Sequence, residues 1–174
     1  MTTIYLRRCG DPKAAVADLK TQALRALGLP DLPLLHDGAG RPYLAGGPFV
    51  SVSHSRNYCA LALSDRPVGL DAEELRPLRE KLAARVMGPE EYRWYRARGS
   101  REEDFFTLWT LKESWLKYLG TGLRGFPNDT AFVLEDGIWR LRGSGARFHT
   151  VRKGPLFLAL CGEEQEAPVM KRTD

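Results

Sequence analysis

The chain has 174 residues and a mass of 19.6 kDa, with 43% hydrophobic and 28% charged residues. That is the composition of one ordinary globular domain, or of two small subdomains sharing a core, and it speaks against a disordered or membrane-spanning chain. The formal charge of +4 and pI near 9.1 favour anionic partners without selecting a function.

In chain order, "TIYLRR" reads as a first strand, and Asp11-Pro12 opens a helix over "KAAVADLKTQALRAL" that Gly28 ends. "LPDLPLLHDGAGRPYLAGGP" is dense in Pro and Gly and reads as a surface loop. "FVSVSHS", "YCALALS" and "VGLDAE" follow as strands, with a turn at Ser64-Asp65-Arg66-Pro67. Helical patterns occupy "PLREKLAARVM" and "PEEYRWYRA". Ser100-Arg101-Glu102-Glu103 has the form of a capping box for a long helix that Gly120 stops. The tail is β-rich: "AFVLE", a hairpin turn at Asp136-Gly137, "IWRLR", "RFHTV" and "LFLALC". The fold class expected is α+β, with two α+β halves meeting near Pro67 to Gly69.

No apolar run is long enough for a membrane helix, and "MTTIYLRRCG" lacks the apolar stretch of a signal peptide. A cytoplasmic location is therefore expected, with Cys9, Cys59 and Cys161 reduced.

The long helix raises a chemical question. At about 100° per residue, Phe105, Leu108, Trp109, Trp115, Leu116 and Leu119 form one apolar arc, with Lys112 inside it. Glu113 lies at the edge, and Lys117 is stacked four residues on. A snorkelling lysine and a surface ion pair would account for an arbitrary helix. An unpaired ammonium in the middle of an apolar stripe is costly, so an anionic ligand or an internal ion pair is expected at Lys112.

Asp71 and Glu73 stand two apart on a strand and so point to one side, where their repulsion calls for a cation. Hard oxygen donors suit Mg²⁺, although D-x-E alone is a common tripeptide. Glu113 would supply a third carboxylate, and Glu74 is expected to face solvent. Ser53, His54 and Ser55 in "SVSHS" offer hydroxyls and an imidazole for a phosphate or a substrate. A Ser-His hydrolase is disfavoured, since no G-x-S-x-G elbow occurs and strand neighbours face opposite ways. His36, His54 and His149 are too scattered for a zinc cluster, and "GAGRP" is not a dinucleotide fingerprint.

Taken in order, "GRPYL", "SVSHS", "VGLDAE" and "LWTLKESWLK" resemble the motifs of the surfactin-type 4′-phosphopantetheinyl transferases, over about Gly40 to Leu123. The resemblance implies a pseudo-dimer of two similar α+β subdomains, 1–67 and 68–174, in one chain acting as a monomer, with coenzyme A in the cleft between them. It implies transfer of the phosphopantetheine arm to a serine of an apo acyl, polyketide or peptidyl carrier protein, with release of 3′,5′-ADP. Asp71, Glu73 and Glu113 would hold Mg²⁺, and Asp71, Glu113 and Lys117 would form the catalytic set. Ser53 and His54 would contact the nucleotide end, Lys117 the pyrophosphate, and Lys112 either the ligand or an internal partner.

Two departures are visible. Arg41 stands where the family usually has lysine, which keeps the charge and changes its geometry. The stretch before "GRPYL" is short, leaving Arg7, Arg8, Lys13, Lys20 and Arg25 for the 3′-phosphate, with Lys13 the first choice. The carrier partner is expected to be acidic and drawn to the arginines of Arg85 to Arg101. No membrane or nucleic-acid partner is expected, because aromatics are not interleaved with basic residues on a strand platform. A non-catalytic binding relative would have no need of three metal-ligating carboxylates.

Overall fold

In a computed structural model, the described residues are 1–78, 80–121, 131–164 and 166–173. The last two residues of the long-helix stretch, Gly122 and Leu123, fall outside them, as does Arg79 of the first short helical pattern.

The described residues build a four-stranded and a three-stranded sheet flanked by helices, with two further two-stranded hairpins. Strand β1 (Thr2–Arg8) leads into α1 (Pro12–Ala26), followed by a hairpin of β2 (Leu34–His36) and β3 (Pro42–Leu44). Strands β4 (Phe49–His54), β5 (Tyr58–Ser64) and β6 (Val68–Glu74) come next. The helices α2 (Glu80–Val86), α3 (Pro89–Ala97) and α4 (Glu102–Leu119) then precede β7 (Phe132–Glu135), β8 (Ile138–Leu141), β9 (Arg147–Lys153), β10 (Leu156–Gly162) and β11 (Val169–Arg172).

The first sheet has the order β11-β1-β5-β4 and the second β6-β10-β9. In each, the opening strand of a half (β1 or β6) pairs antiparallel with the last strand of a hairpin, whose partner lies beyond it. Strand β11 carries the C-terminal part of the chain back to the first sheet, where it runs parallel to β1. No strand was expected there, because "VMKR" is too short and too polar to read as one.

Several local expectations are met for the reasons given. Asp11 caps α1 by accepting from the Lys13 and Ala14 amides, Pro12 occupies the first turn, and Gly28 follows at φ +69°. Asp136 and Gly137 both take positive φ, the backbone that a tight two-residue hairpin requires. Others are corrected. The Pro/Gly-rich stretch contains the β2–β3 hairpin, whose turn is closed by Asp37 Oδ1 accepting from the Ala39 and Arg41 amides. Ser100 is not the cap of α4: it has φ +55°, its amide donates to Tyr95 O at the end of α3, and Arg101 stands at the cap position. The carboxylate that does reach back to a helix start is Glu91, which accepts from the Gly88 amide.

Helix α4 lies against β6 and β10. Phe105, Phe106, Leu108 and Leu111 are fully buried and join Phe148, Phe157 and Tyr95 in one core cluster, while Leu119, expected in the apolar arc, is exposed. Gly69 of β6 allows the close approach. A Cβ there would collide with the Ser114 carbonyl oxygen and the Tyr118 backbone, which cannot move aside as a side chain would. Val68, Leu70 and Ala72 point the other way, into a core shared with Ile4, Leu6, Ala60 and Ala62 of the first sheet. Alternation along β6 therefore turns Gly69, Asp71 and Glu73 toward α4.

Candidate functional site

Between the two sheets runs a seam of side-chain hydrogen bonds. Strands β4 and β6 are not paired through their backbones. Instead the Leu70, Ala72 and Glu74 amides donate to the hydroxyls of Ser51, Ser53 and Ser55, at 2.9, 3.1 and 2.9 Å. Three serines spaced two apart point to one side of a strand, so they match every second amide of β6. Buried amides must be paired, and "SVSHS" supplies the acceptors in place of carbonyls. Glu74, expected to face solvent, is buried and holds the β4–β5 turn through the Asn57 amide and side chain, at 2.6 and 2.9 Å.

Above the seam opens a cleft of about 860 Å³, walled by α1, the β2–β3 hairpin, β4 and the C-terminal half of α4. Lys13, Arg41, His54, Glu113 and Lys117 all line it, as does His36. Val16, Leu34, Val50 and Leu116 supply apolar lining. Lys13 and His54 are exposed and Arg41 half-buried. Arg41 rests against Gly120, the left-handed residue that ends α4, so its guanidinium sits by the negative end of that helix. Lys20 also reaches the cleft, but its ammonium is held by Asp31 and the Leu32 carbonyl, both at 2.8 Å. His36 was missed because its strand read as loop.

At the inner end of the cleft, α4 meets β6. Lys117 Nζ donates to Asp71 Oδ1 at 2.8 Å and to the Val52 carbonyl at 3.3 Å. Ser53 Oγ donates to the same Asp71 oxygen at 2.9 Å. The other oxygen, Asp71 Oδ2, is buried with no hydrogen-bond partner, and so is Glu113 Oε1. Burial first, then the Asp71 charge, pushes the Glu113 carboxyl up to about 7; Lys117 opposes the shift and Glu73 adds to it. Glu73 faces the same side and accepts from Arg76 at 2.6 Å.

Two expected ligand contacts are corrected. Lys112 does not line the cleft. It is buried, 2.8 Å from Glu91 Oε2, with side-chain exposures of 3% and 0%. Glu91 also accepts from the Gly88 and Phe132 amides, so the pair ties α3, α4 and β7 together. Of the two roles open to Lys112, the internal one is realised. Ser53 is likewise buried, and its hydroxyl is committed to Ala72 and Asp71 rather than turned to the cleft.

Among the described residues, no three His, Cys, Asp or Glu side chains are grouped closely enough to hold a metal ion as they stand. The donor chemistry nevertheless fits a hard divalent cation. Two carboxylates each present a buried oxygen without a partner, and burial followed by the Asp71 charge raises the Glu113 pKa. An unpartnered buried carboxylate oxygen is costly, and a cation is the partner that would satisfy both.

A nucleotide-sized cleft with a basic rim, ending in paired carboxylates and a lysine, defines a site suited to phosphoryl chemistry. The model of the 4′-phosphopantetheinyl transferase superfamily matches residues 67–161, more than half of the chain, and the chain belongs to that superfamily. It is 35% identical over 86 residues to the 4′-phosphopantetheinyl transferase gsp of Aneurinibacillus migulanus, covering 48% of this chain and 36% of that one. It is 33% identical over 111 residues to the 4′-phosphopantetheinyl transferase psf-1 of Bacillus pumilus, covering 61% and 48%. Identity to the Thermotoga maritima holo-[acyl-carrier-protein] synthase is 38% over 71 residues, 40% of this chain and 42% of that one. A crystal structure of that synthase superposes with a TM-score of 0.48 at 30% identity, over 55% of this chain and 61% of the other. The chain spans less than half the length of each of these three curated relatives.

Proposed function

We propose that the chain is a Mg²⁺-dependent 4′-phosphopantetheinyl transferase, moving the 4′-phosphopantetheine group of coenzyme A onto a serine of an apo carrier protein and releasing 3′,5′-ADP. The observation that carries this reading is the meeting of Asp71, Glu113 and Lys117 at the inner end of the basic cleft, with two carboxylate oxygens left unpartnered. Family membership supports the same chemistry. Coenzyme A is the donor substrate. Lys13, Arg41 and His54 are its phosphate contacts along the rim, and Lys117 its pyrophosphate contact. Lys112 and Ser53 are left out of the ligand set.

Asp71, Glu73 and Glu113 are the residues to hold Mg²⁺. When bound, the ion supplies charge neutralisation at the pyrophosphate. The chain's own groups do the rest. Lys117, anchored by Asp71 and Val52, adds a fixed positive charge where the leaving phosphate gains negative charge. Glu113, or a water it holds, takes the proton of the incoming serine hydroxyl. The apolar lining holds the ligand and excludes water.

The two subdomains, 1–67 and 68–174, form a pseudo-dimer around the cleft. The matching orders β1-β5-β4 and β6-β10-β9, and a cleft lined from both halves, support that organisation, with β11 crossing back to the first sheet. The protein acts as a cytoplasmic monomer without membrane or nucleic-acid partners; among the described residues no helix is long and apolar enough to cross a membrane. The carrier docks through acidic residues on the exposed arginines Arg85, Arg93 and Arg96 of α2 and α3. Incubation with coenzyme A, Mg²⁺ and a panel of apo acyl, polyketide and peptidyl carriers tests the proposal by intact mass. One phosphopantetheine added to a carrier is expected, and no addition to any carrier refutes it.

A further inference from the structure

The seam between β4 and β6 contains three serines in equivalent positions, yet only one of them reaches a charged group. Ser51, Ser53 and Ser55 each accept one β6 amide. Ser53 alone also donates, to Asp71 Oδ1 at 2.9 Å. Both functions of its hydroxyl are fixed by its neighbours. The Ala72 amide can only donate, so it takes a lone pair of Oγ, and the hydroxyl proton is left for the carboxylate. Lys117 Nζ binds the same Oδ1 from the other element. One oxygen of Asp71 is thus held from two sides, while Oδ2 is buried with no partner. At 4% exposure, neither Ser53 nor Asp71 has water to substitute for these bonds.

We propose that Ser53 is a positioning residue for Asp71: it fixes the carboxylate so that Oδ2 is directed, unspent, to the cation, and it makes no contact with the nucleotide. This rests on the transferase reading above. A residue that orients a metal-ligating carboxylate through a hydrogen bond changes metal affinity by about 10- to 100-fold when removed. A residue that only joins the two sheets changes stability and nothing else. Ser55 is the matched comparison, because its hydroxyl accepts the Glu74 amide and has no carboxylate partner in the bonds described.

The test is direct titration of Mn²⁺, followed by electron paramagnetic resonance of the free ion, on wild type, Ser53→Ala, Ser53→Thr and Ser55→Ala. Thermal unfolding and transfer kinetics are recorded in parallel. Ser53→Ala is expected to weaken Mn²⁺ binding at least about tenfold and to lower kcat with the coenzyme A KM unchanged. Ser53→Thr, which keeps the hydroxyl, should recover most of the affinity. Ser55→Ala should lose stability while binding Mn²⁺ as the wild type does. A raised coenzyme A KM in Ser53→Ala with unaltered Mn²⁺ affinity would make Ser53 a nucleotide contact and overturn the inference. Equal Mn²⁺ affinities in Ser53→Ala and Ser55→Ala would also overturn it, leaving the transferase reading intact while wild type still transfers. A wild type that neither binds Mn²⁺ nor modifies a carrier removes both readings together.

Discussion

Replacing Lys112 by methionine keeps the length of the side chain and removes the ammonium from a pair with side-chain exposures of 3% and 0%. What remains is a Glu91 carboxylate in the core, still accepting from the Gly88 and Phe132 amides at 2.9 Å each. Breaking a buried ion pair by removing one partner costs about 3–5 kcal/mol. The two surviving amide bonds soften the penalty, so the lower end, about 3 kcal/mol, is expected for Lys112→Met. Glu91→Gln leaves an ammonium with a neutral partner and should cost at least as much. In the double variant no charge remains, and the losses should not add: a coupling of about 2–3 kcal/mol is expected from the cycle. Urea unfolding of the four proteins measures it. A total stability of about 5–15 kcal/mol makes such changes easy to resolve. A Lys112→Met cost below about 1 kcal/mol with no coupling would refute the structural role. So would a coenzyme A KM raised about tenfold at unchanged stability, since it would return Lys112 to the cleft.

Three further outcomes follow from the same geometry. Gly69→Ala drives a Cβ into the backbone of α4 at Ser114 and Tyr118, so unfolding should cost at or beyond the upper end of about 1–3 kcal/mol for overpacking, with transfer activity lost alongside; a stable, active variant would contradict the close approach. Glu113 holds its proton more tightly folded than unfolded, so in metal-free protein its contribution makes stability fall as pH rises from the usual 4.5 to about 7 and then level off; unfolding curves across that window should show the slope in wild type and lose it in Glu113→Gln, and equal slopes would refute the raised pKa. Lys13→Ala, at an exposed rim position, should raise the coenzyme A KM about tenfold while leaving stability within about 0.5 kcal/mol, and a kcat effect at constant KM would move Lys13 out of the ligand set.

The site was largely legible where chemistry and period coincide. Two-residue spacing in "VGLDAE" puts Asp71 and Glu73 on one face, and four-residue spacing stacks Glu113 and Lys117. Neither pattern depends on knowing which elements meet. What could not be read was long-range pairing. Lys112 looked unpartnered because Glu91 lies on another helix, and nothing local in "PEEYRWYRA" marks that glutamate as buried rather than solvated. The hydroxyls of "SVSHS" were assigned to a ligand for a similar reason. A strand edge satisfied by serine side chains has no signature until the facing strand is known. The β2–β3 hairpin was hidden by Pro and Gly, and β11 by its polar, short sequence, since its pairing with β1 is fixed by neighbours from the far end of the chain.

The position of α4 makes core and site one problem in energetics. Its buried aromatics and the Lys112–Glu91 pair fix one side of the helix, and Gly69 lets the other side press onto β6. Only at that separation does Lys117 reach Asp71 at 2.8 Å, and only then do the Asp71 and Glu113 carboxylates act on each other. Burial, then the Asp71 charge, makes an ionised Glu113 a free-energy cost to the folded protein, one that a bound cation would relieve. Loosening α4 should therefore weaken metal binding through geometry before it exposes the core. Removing Glu113 should instead relieve the fold while disabling the site. Opposite signs of stability change for Gly69→Ala and Glu113→Gln near neutral pH, with loss of transfer in both, are the signature of a site held together against its own charge.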